Sequence, residues 1–147
     1  MKGVLAVLAI VVAGMGWTGR AAAHHSFAAE FDIKSPVTLK GKLVKLEWTN
    51  PHGWLYLDVV DAQGKVTTWQ VETGSPNALL RRGMRKSTLP IGIELQVDGY
   101  LSKTSATTAN AITVKMPDGT DFFVGSSGTG APEPIKSGAD AEGASKP

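Results

Sequence analysis

Three histidines carry the chemistry for which this chain can first be read: His24, His25 and His52. The first two follow Ala21-Ala22-Ala23, a small-residue A-x-A stretch of the kind that signal peptidase cuts. Cutting after Ala23 makes His24 the first residue. A terminal histidine offers its α-amine and a ring nitrogen to one metal as a chelate, and an imidazole from elsewhere would complete a T-shaped site of nitrogen donors. Such donors suit copper best among the common divalent metals, although the same ligand types accept others. His52 follows an Asn50-Pro51 turn at the start of a strand, where a ligand would be held rigidly. Glu47 and Glu72 fall near enough in the pattern of strands to orient its ring from behind.

Other cuts also leave chelating termini. Cutting after Ala22 gives Ala-His-His, which binds Cu²⁺ through the amine, backbone amides and a ring, but it places Arg20 where the peptidase wants a small residue. Cutting after Ala21 places Gly19 there and leaves Ala-Ala-His-His. Beside these readings stands a plainer one, a solvated pair at a free terminus and a His52 bonded to a backbone carbonyl in its turn.

Aromatic side chains are the next candidates. Trp48, Trp54, Tyr56 and Trp69 gather around one predicted hairpin. Barrels of the OB type bind ligands through aromatics on their second and third strands, so Trp54 and Tyr56 would form a ligand face. The simpler expectation puts Trp48 and Trp69 in the core and packs Trp54 and Tyr56 against the N-terminal arm. Arg81, Arg82, Arg85 and Lys86 would complement a helix C-terminus rather than form an anion site. Nothing fixes Glu30, Asp32, Glu47 or Glu72 as an acid–base pair, and no nucleophile-elbow, Walker, Rossmann or zincin motif occurs, which argues against an enzyme.

These residues sit on a chain of 147 residues, the size of one domain. Lys2, the uncharged apolar run Val4 to Ala13 and the alanines to Ala23 read as a signal peptide on residues 1–23. A spanning helix needs about 20 apolar residues, and Gly14, Gly16, Thr18, Gly19 and Arg20 dilute the run too early. The expected location is therefore periplasmic or secreted, with no stable membrane anchor after cleavage. Lys2 and Arg20 leave with the leader and no acid does, so 15 basic residues fall to 13 and match the 13 acids. A neutral surface gives no drive toward phosphate backbones, which argues against nucleic acid as partner and leaves an exported protein or a small ligand. With no cysteine, disulfides and thiolate metal sites are excluded.

The domain that positions the histidines spans 24–124, and alternation of apolar residues predicts five or six strands in it. Phe27 and Phe31, four apart, suit a short helical turn or an extended arm. Val37 to Trp48 is a long first strand whose phase flips, which predicts a bulge or strong coiling at Gly41. His52–Val60 and Lys65–Thr73 pair through the Asp61–Gly64 turn. Ser75 as N-cap, Pro76 at the first helical position and Gly83 beyond the end predict a helix that packs Leu79 and Leu80 inward. Ile93–Leu101 and Asn110–Met116 follow as strands, with Phe122–Val124 as a short edge. Three strands, a helix and two strands is the order of an OB-like β-barrel, mainly β, with its one helix between strands three and four. Gly125 to Pro147, rich in Gly, Ser, Ala and Pro, reads as a disordered tail.

Several short motifs then coincide: His24-His25-Ser26-Phe27, Phe31-Asp32, Gly41, Trp48-x-Asn50-Pro51-His52, Trp69-x-Val71-Glu72, Pro76-x-x-Leu79-x-Arg81-x-Gly83 and Gly99. As a set they resemble a family of small bacterial exported proteins of unknown function, over about residues 24–124. The resemblance implies a single periplasmic domain and assigns no activity. Family members carry an aromatic after the helix-ending glycine, where this chain has Met84. That departure bears on packing rather than on the histidines.

Overall fold

A computed structural model of the chain describes residues 26–126 and 130–132. The leader, His24, His25 and the tail other than residues 125–126 and 130–132 lie outside the described residues.

The chain begins with a single helical turn, α1 (Phe27–Glu30), followed by β1 (Phe31–Glu47), β2 (Trp54–Val60) and β3 (Val66–Glu72). Helix α2 (Pro76–Arg81) and a 3-10 turn (Lys86–Thr88) lead to β4 (Glu94–Ser102), β5 (Thr108–Lys115) and β6 (Asp121–Phe123). The sheet runs β3-β2-β1-β4-β5-β6, and a short parallel ladder, Gln70–Glu72 on Thr108–Asn110, joins β3 to β5. That ladder turns the sheet into a ring. The fold is the mainly β, OB-like barrel that the strand–helix order predicts, with β6 added outside the ring.

The long β1 makes the ring possible because it serves both halves. Residues 41–47 pair with β2, and residues 31 and 36–42 pair with β4. The register slips between Leu43 and Lys45 rather than at Gly41. Leu39, Gly41 and Leu43 all face inward, so the inward phase runs straight through the glycine and the flip falls on Val44, which is pushed outward. Gly41 has another task. A Cβ there would lie 2.5 Å from the Asp58 carbonyl oxygen, so its bareness lets β1 pass close to β2 at the bend.

Inside, Leu39, Leu43, Leu55, Leu57, Val71, Val97 and Val114 form the core. Leu79, Met84 and Leu89 join the same cluster from α2 and the segment that follows it. Ser75 caps α2 by accepting from the Ala78 N–H at 3.3 Å, and Pro76 opens the helix. Leu80 differs from expectation. It is 45% exposed while Leu79 is 1% exposed, because successive helical residues lie about 100° apart and a helix this short offers one inward face.

Candidate functional site: a histidine–carboxylate pocket on the barrel wall

The site follows from register. Trp54 pairs with Glu72 across the antiparallel β2–β3 ladder, and Glu72 pairs with Asn110 across the parallel β3–β5 ladder. Paired residues share a face of the sheet. Neighbours Leu55, Val71 and Ala109 point into the core, so Trp54, Glu72 and Asn110 stand on the outer face of the wall. His52, two residues before Trp54, joins that face because the ladder continues past the strand end: Thr73 N–H donates to the Gly53 carbonyl at 2.8 Å and Gly53 N–H to Gly74 at 3.2 Å.

An outer face normally meets water. Here α1 covers it. Phe27 stacks on Phe31 with centroids 5.6 Å apart and meets Tyr100 edge-on at 5.7 Å, and both phenylalanines are buried. The Lys103 backbone N–H donates to the Glu30 carbonyl at 2.9 Å, and its ammonium to the Ala28 carbonyl, which fastens the turn to the end of β4. Between this cover and the wall lies a pocket of about 150 Å³. Phe27, Glu30 and Phe31 line it from the cover, His52, Trp54, Glu72 and Asn110 from the wall, and Ser26 at the chain's entry.

His52 is held in the pocket through one ring nitrogen. Its Nδ1 lies 3.1 Å from Glu72 Oε1 and 3.3 Å from Ser126 Oγ. Glu72 is buried, and its carboxylate is placed to fix the ring tautomer. With Nδ1–H turned to the carboxylate, Nε2 carries the lone pair. Neither contact uses Nε2. The same geometry excludes a Ser-His-Glu nucleophilic relay, which needs the hydroxyl on one ring nitrogen and the acid on the other. A carboxylate on one ring nitrogen is instead the arrangement found behind metal-bound histidines.

Ser126 is brought to this ring by a strap from β6. Gly74 N–H donates to the Val124 carbonyl at 2.7 Å, and Arg82 Nη1 donates to the Gly125 carbonyl at 2.7 Å while its guanidinium lies 4.2 Å over the Phe123 ring. Of the basic cluster, Arg82 is thus a brace, and Arg81, Arg85 and Lys86 are exposed. Asn110 is the other residue without an obvious sequence signal. It is 2% exposed, and its Oδ1 has no hydrogen-bond partner. A polar residue inside the apolar run of β5 was the one visible sign of it.

The remaining predicted residues separate from this pocket. Glu47 pairs with Lys45 at 2.6 Å, and that ammonium holds its carboxyl below the ordinary glutamate range. Lys45 Nζ also sits 4.5 Å over the Tyr56 ring. Tyr56 therefore faces a lysine, whereas Trp54 faces the pocket. Trp48 and Trp69 pack against the core. Among the described residues, no group of three histidine, aspartate or glutamate side chains is placed to hold a metal, and no helix is long and apolar enough to cross a membrane. His24 and His25, the other proposed ligands, lie outside the described residues.

Fold and pocket together define a small OB-like barrel with a histidine–carboxylate pair beneath its N-terminal turn. Residues 11–111 match the DUF6152 family, a family of unknown function, and the chain belongs to that family. No curated protein and no solved structure matches the chain.

Proposed function

We propose that this is an exported, periplasmic metal-binding protein whose metal, copper by ligand type, is held by His52 and the histidines His24 and His25 at the processed N-terminus. The observation that carries the reading is the His52–Glu72 contact in a pocket also lined by Ser26, the residue that follows His25. One imidazole is oriented by a carboxylate through Nδ1, and the chain enters the same pocket at Ser26, within two residues of the other two. An α-amine two residues upstream of Ser26 has about 7 Å of chain to reach with, which is comparable to the span of the pocket.

The donor chemistry fits. Imidazole and amine nitrogens suit copper, and a carboxylate behind a ligating ring raises its basicity and fixes its direction. Export is supported by Lys2, the Val4–Ala13 run and the alanines before His24, and it matters because the α-amine exists at His24 only after cleavage there.

Isothermal titration of Cu²⁺ into correctly processed protein tests the reading, with the first residue verified by mass spectrometry. Sub-micromolar binding that weakens on His52→Ala is expected. Binding that is micromolar or weaker and indifferent to His52→Ala overturns it.

A further inference from the structure

Ser126 is a small polar residue buried at a ring that already has a carboxylate. It is 6% exposed, and its Oγ lies 3.3 Å from His52 Nδ1 and 3.5 Å from the Thr73 carbonyl oxygen. Burying a hydroxyl costs free energy unless its hydrogen bonds are made. Backbone pairing brings it there. Gly74 N–H donates to the Val124 carbonyl at 2.7 Å, Val124 N–H donates to the Ile112 carbonyl at 2.8 Å, and Arg82 holds the Gly125 carbonyl. The fit is close: a Cβ on Gly74 would lie 2.9 Å from the Gly125 carbonyl oxygen. The hydroxyl is therefore aimed at His52 by a segment fixed to β3, β5 and α2.

Donor and acceptor roles follow from this placement. A hydroxyl has a single proton, and Ser126 directs it at the Thr73 carbonyl, which can only accept. What Ser126 Oγ offers His52 is then a lone pair. Glu72 Oε1, at 3.1 Å, offers the same nitrogen an acceptor as well. Two acceptors on Nδ1 require a proton between them. From this we propose that Ser126 is a positioning residue for His52: it shares the Nδ1 proton with Glu72 and so keeps the ring in the Nδ1–H tautomer, with the lone pair on Nε2. The opposite tautomer would set a bare Nδ1 against the carboxylate. It would also draw the Ser126 proton back to the ring and away from Thr73.

The consequence is that the end of the folded domain takes part in the site. The nitrogen that a metal-ligating histidine offers is set by the hydrogen bond that its other nitrogen makes. Here that bond has two acceptors, one on β3 and one on the strap that follows β6. What Nε2 is for rests on the metal reading. The tautomer does not, because it belongs to the metal-free protein and is measured there.

The experiment observes ring-15N-labelled histidine by NMR in EDTA at about pH 8.5, above the ordinary histidine pKa of about 6.5. Protonated and bare ring nitrogens resonate far apart, so the tautomer ratio is read directly, and the His52 signals are assigned by their loss in His52→Gln. Wild type is expected to carry its proton on Nδ1. Ser126→Ala should lower the ratio of Nδ1–H to Nε2–H by about two- to tenfold, the usual worth of one hydrogen bond, and Ser126→Thr, which keeps the hydroxyl, should restore it. The same comparison in a Glu72→Gln background brings the ratio nearer unity, where the change is easiest to read. Val114→Ala controls for lost stability: it opens a cavity in the core, lowers the melting temperature and leaves the ratio unchanged. The proposal is overturned if wild type holds the proton on Nε2, if Ser126→Ala leaves the ratio unchanged in both backgrounds, or if Ser126→Thr behaves as the alanine variant does. Cu²⁺ titration of the same samples reports separately: a wild type that binds no copper removes the metal reading and leaves the tautomer result standing.

Discussion

Glu72 Oε1 lies 3.1 Å from His52 Nδ1, and register puts the two there. Glu72 stands opposite Trp54 in the β2–β3 ladder, and His52 is two residues before Trp54 on the same face. The contact is therefore built into strand pairing, not left to a flexible loop.

Removing the carboxylate should loosen the ring. Glu72→Gln is expected to weaken Cu²⁺ binding about 10–100-fold, the usual cost of losing an outer partner of a ligating histidine. Glu47→Gln, at the residue paired with Lys45, should leave affinity unchanged. Calorimetric titration of both variants checks this, and a large effect of Glu47→Gln would put the second partner elsewhere than we place it.

The strap that presents Ser126 depends on Arg82. Its guanidinium donates to the Gly125 carbonyl and covers Phe123. Arg82→Ala should lower stability by about 1–3 kcal/mol through the carbonyl left without its donor, and amide hydrogen exchange at Val124 should quicken. Arg81→Ala, at an exposed neighbour, should change neither.

Leu79 and Leu80 separate core from surface within one helical turn. Leu79→Ala should cost about 2–5 kcal/mol by urea unfolding, and Leu80→Ala about 0.5 kcal/mol or less. Equal costs would mean that α2 is rotated from the orientation described.

Asp32 gives an acid-limb prediction. The Lys34 backbone N–H and the Ser35 hydroxyl both donate to its carboxylate and hold its pKa below the ordinary value of 3.8. A lowered folded pKa stabilises the fold above the unfolded value, and the contribution is lost as pH falls through the folded one. Asp32→Asn should thus flatten the dependence of stability on pH below about 4, with its loss of stability present at neutrality and fading as the pH falls, as acid titration of unfolding would show. The carboxylate is solvent-exposed, so the effect is small.

Much of the barrel was legible because alternation reports which face is buried. Leu55-Leu57 and Leu95-Val97 each place their strand without help, and Ser75-Pro76 with Gly83 places the helix. Of the two readings of Gly41, a bulge or strong coiling, the slip itself falls between Leu43 and Lys45 while Gly41 serves the close pass of β1 over β2, and a glycine looks the same in sequence whichever of the two it marks. His52 and Glu72 were legible as chemistry by residue type. Their contact was not, since it depends on the register of two ladders. Asn110 and Ser126 were hidden for a related reason: Asn110 reaches the pocket through a strand pairing, and Ser126 reaches His52 through a strap, each between segments far apart in sequence.

The central claim is that His52 ligates a metal through Nε2 together with the processed N-terminus. A crystal structure of the processed protein loaded with Cu²⁺, with anomalous density locating the ion, tests it most directly. The account predicts copper about 2 Å from His52 Nε2 and from nitrogens of His24 or His25, with Glu72 still on Nδ1. Copper held away from this pocket, or at the terminus alone with His52 more than about 10 Å distant, would contradict it.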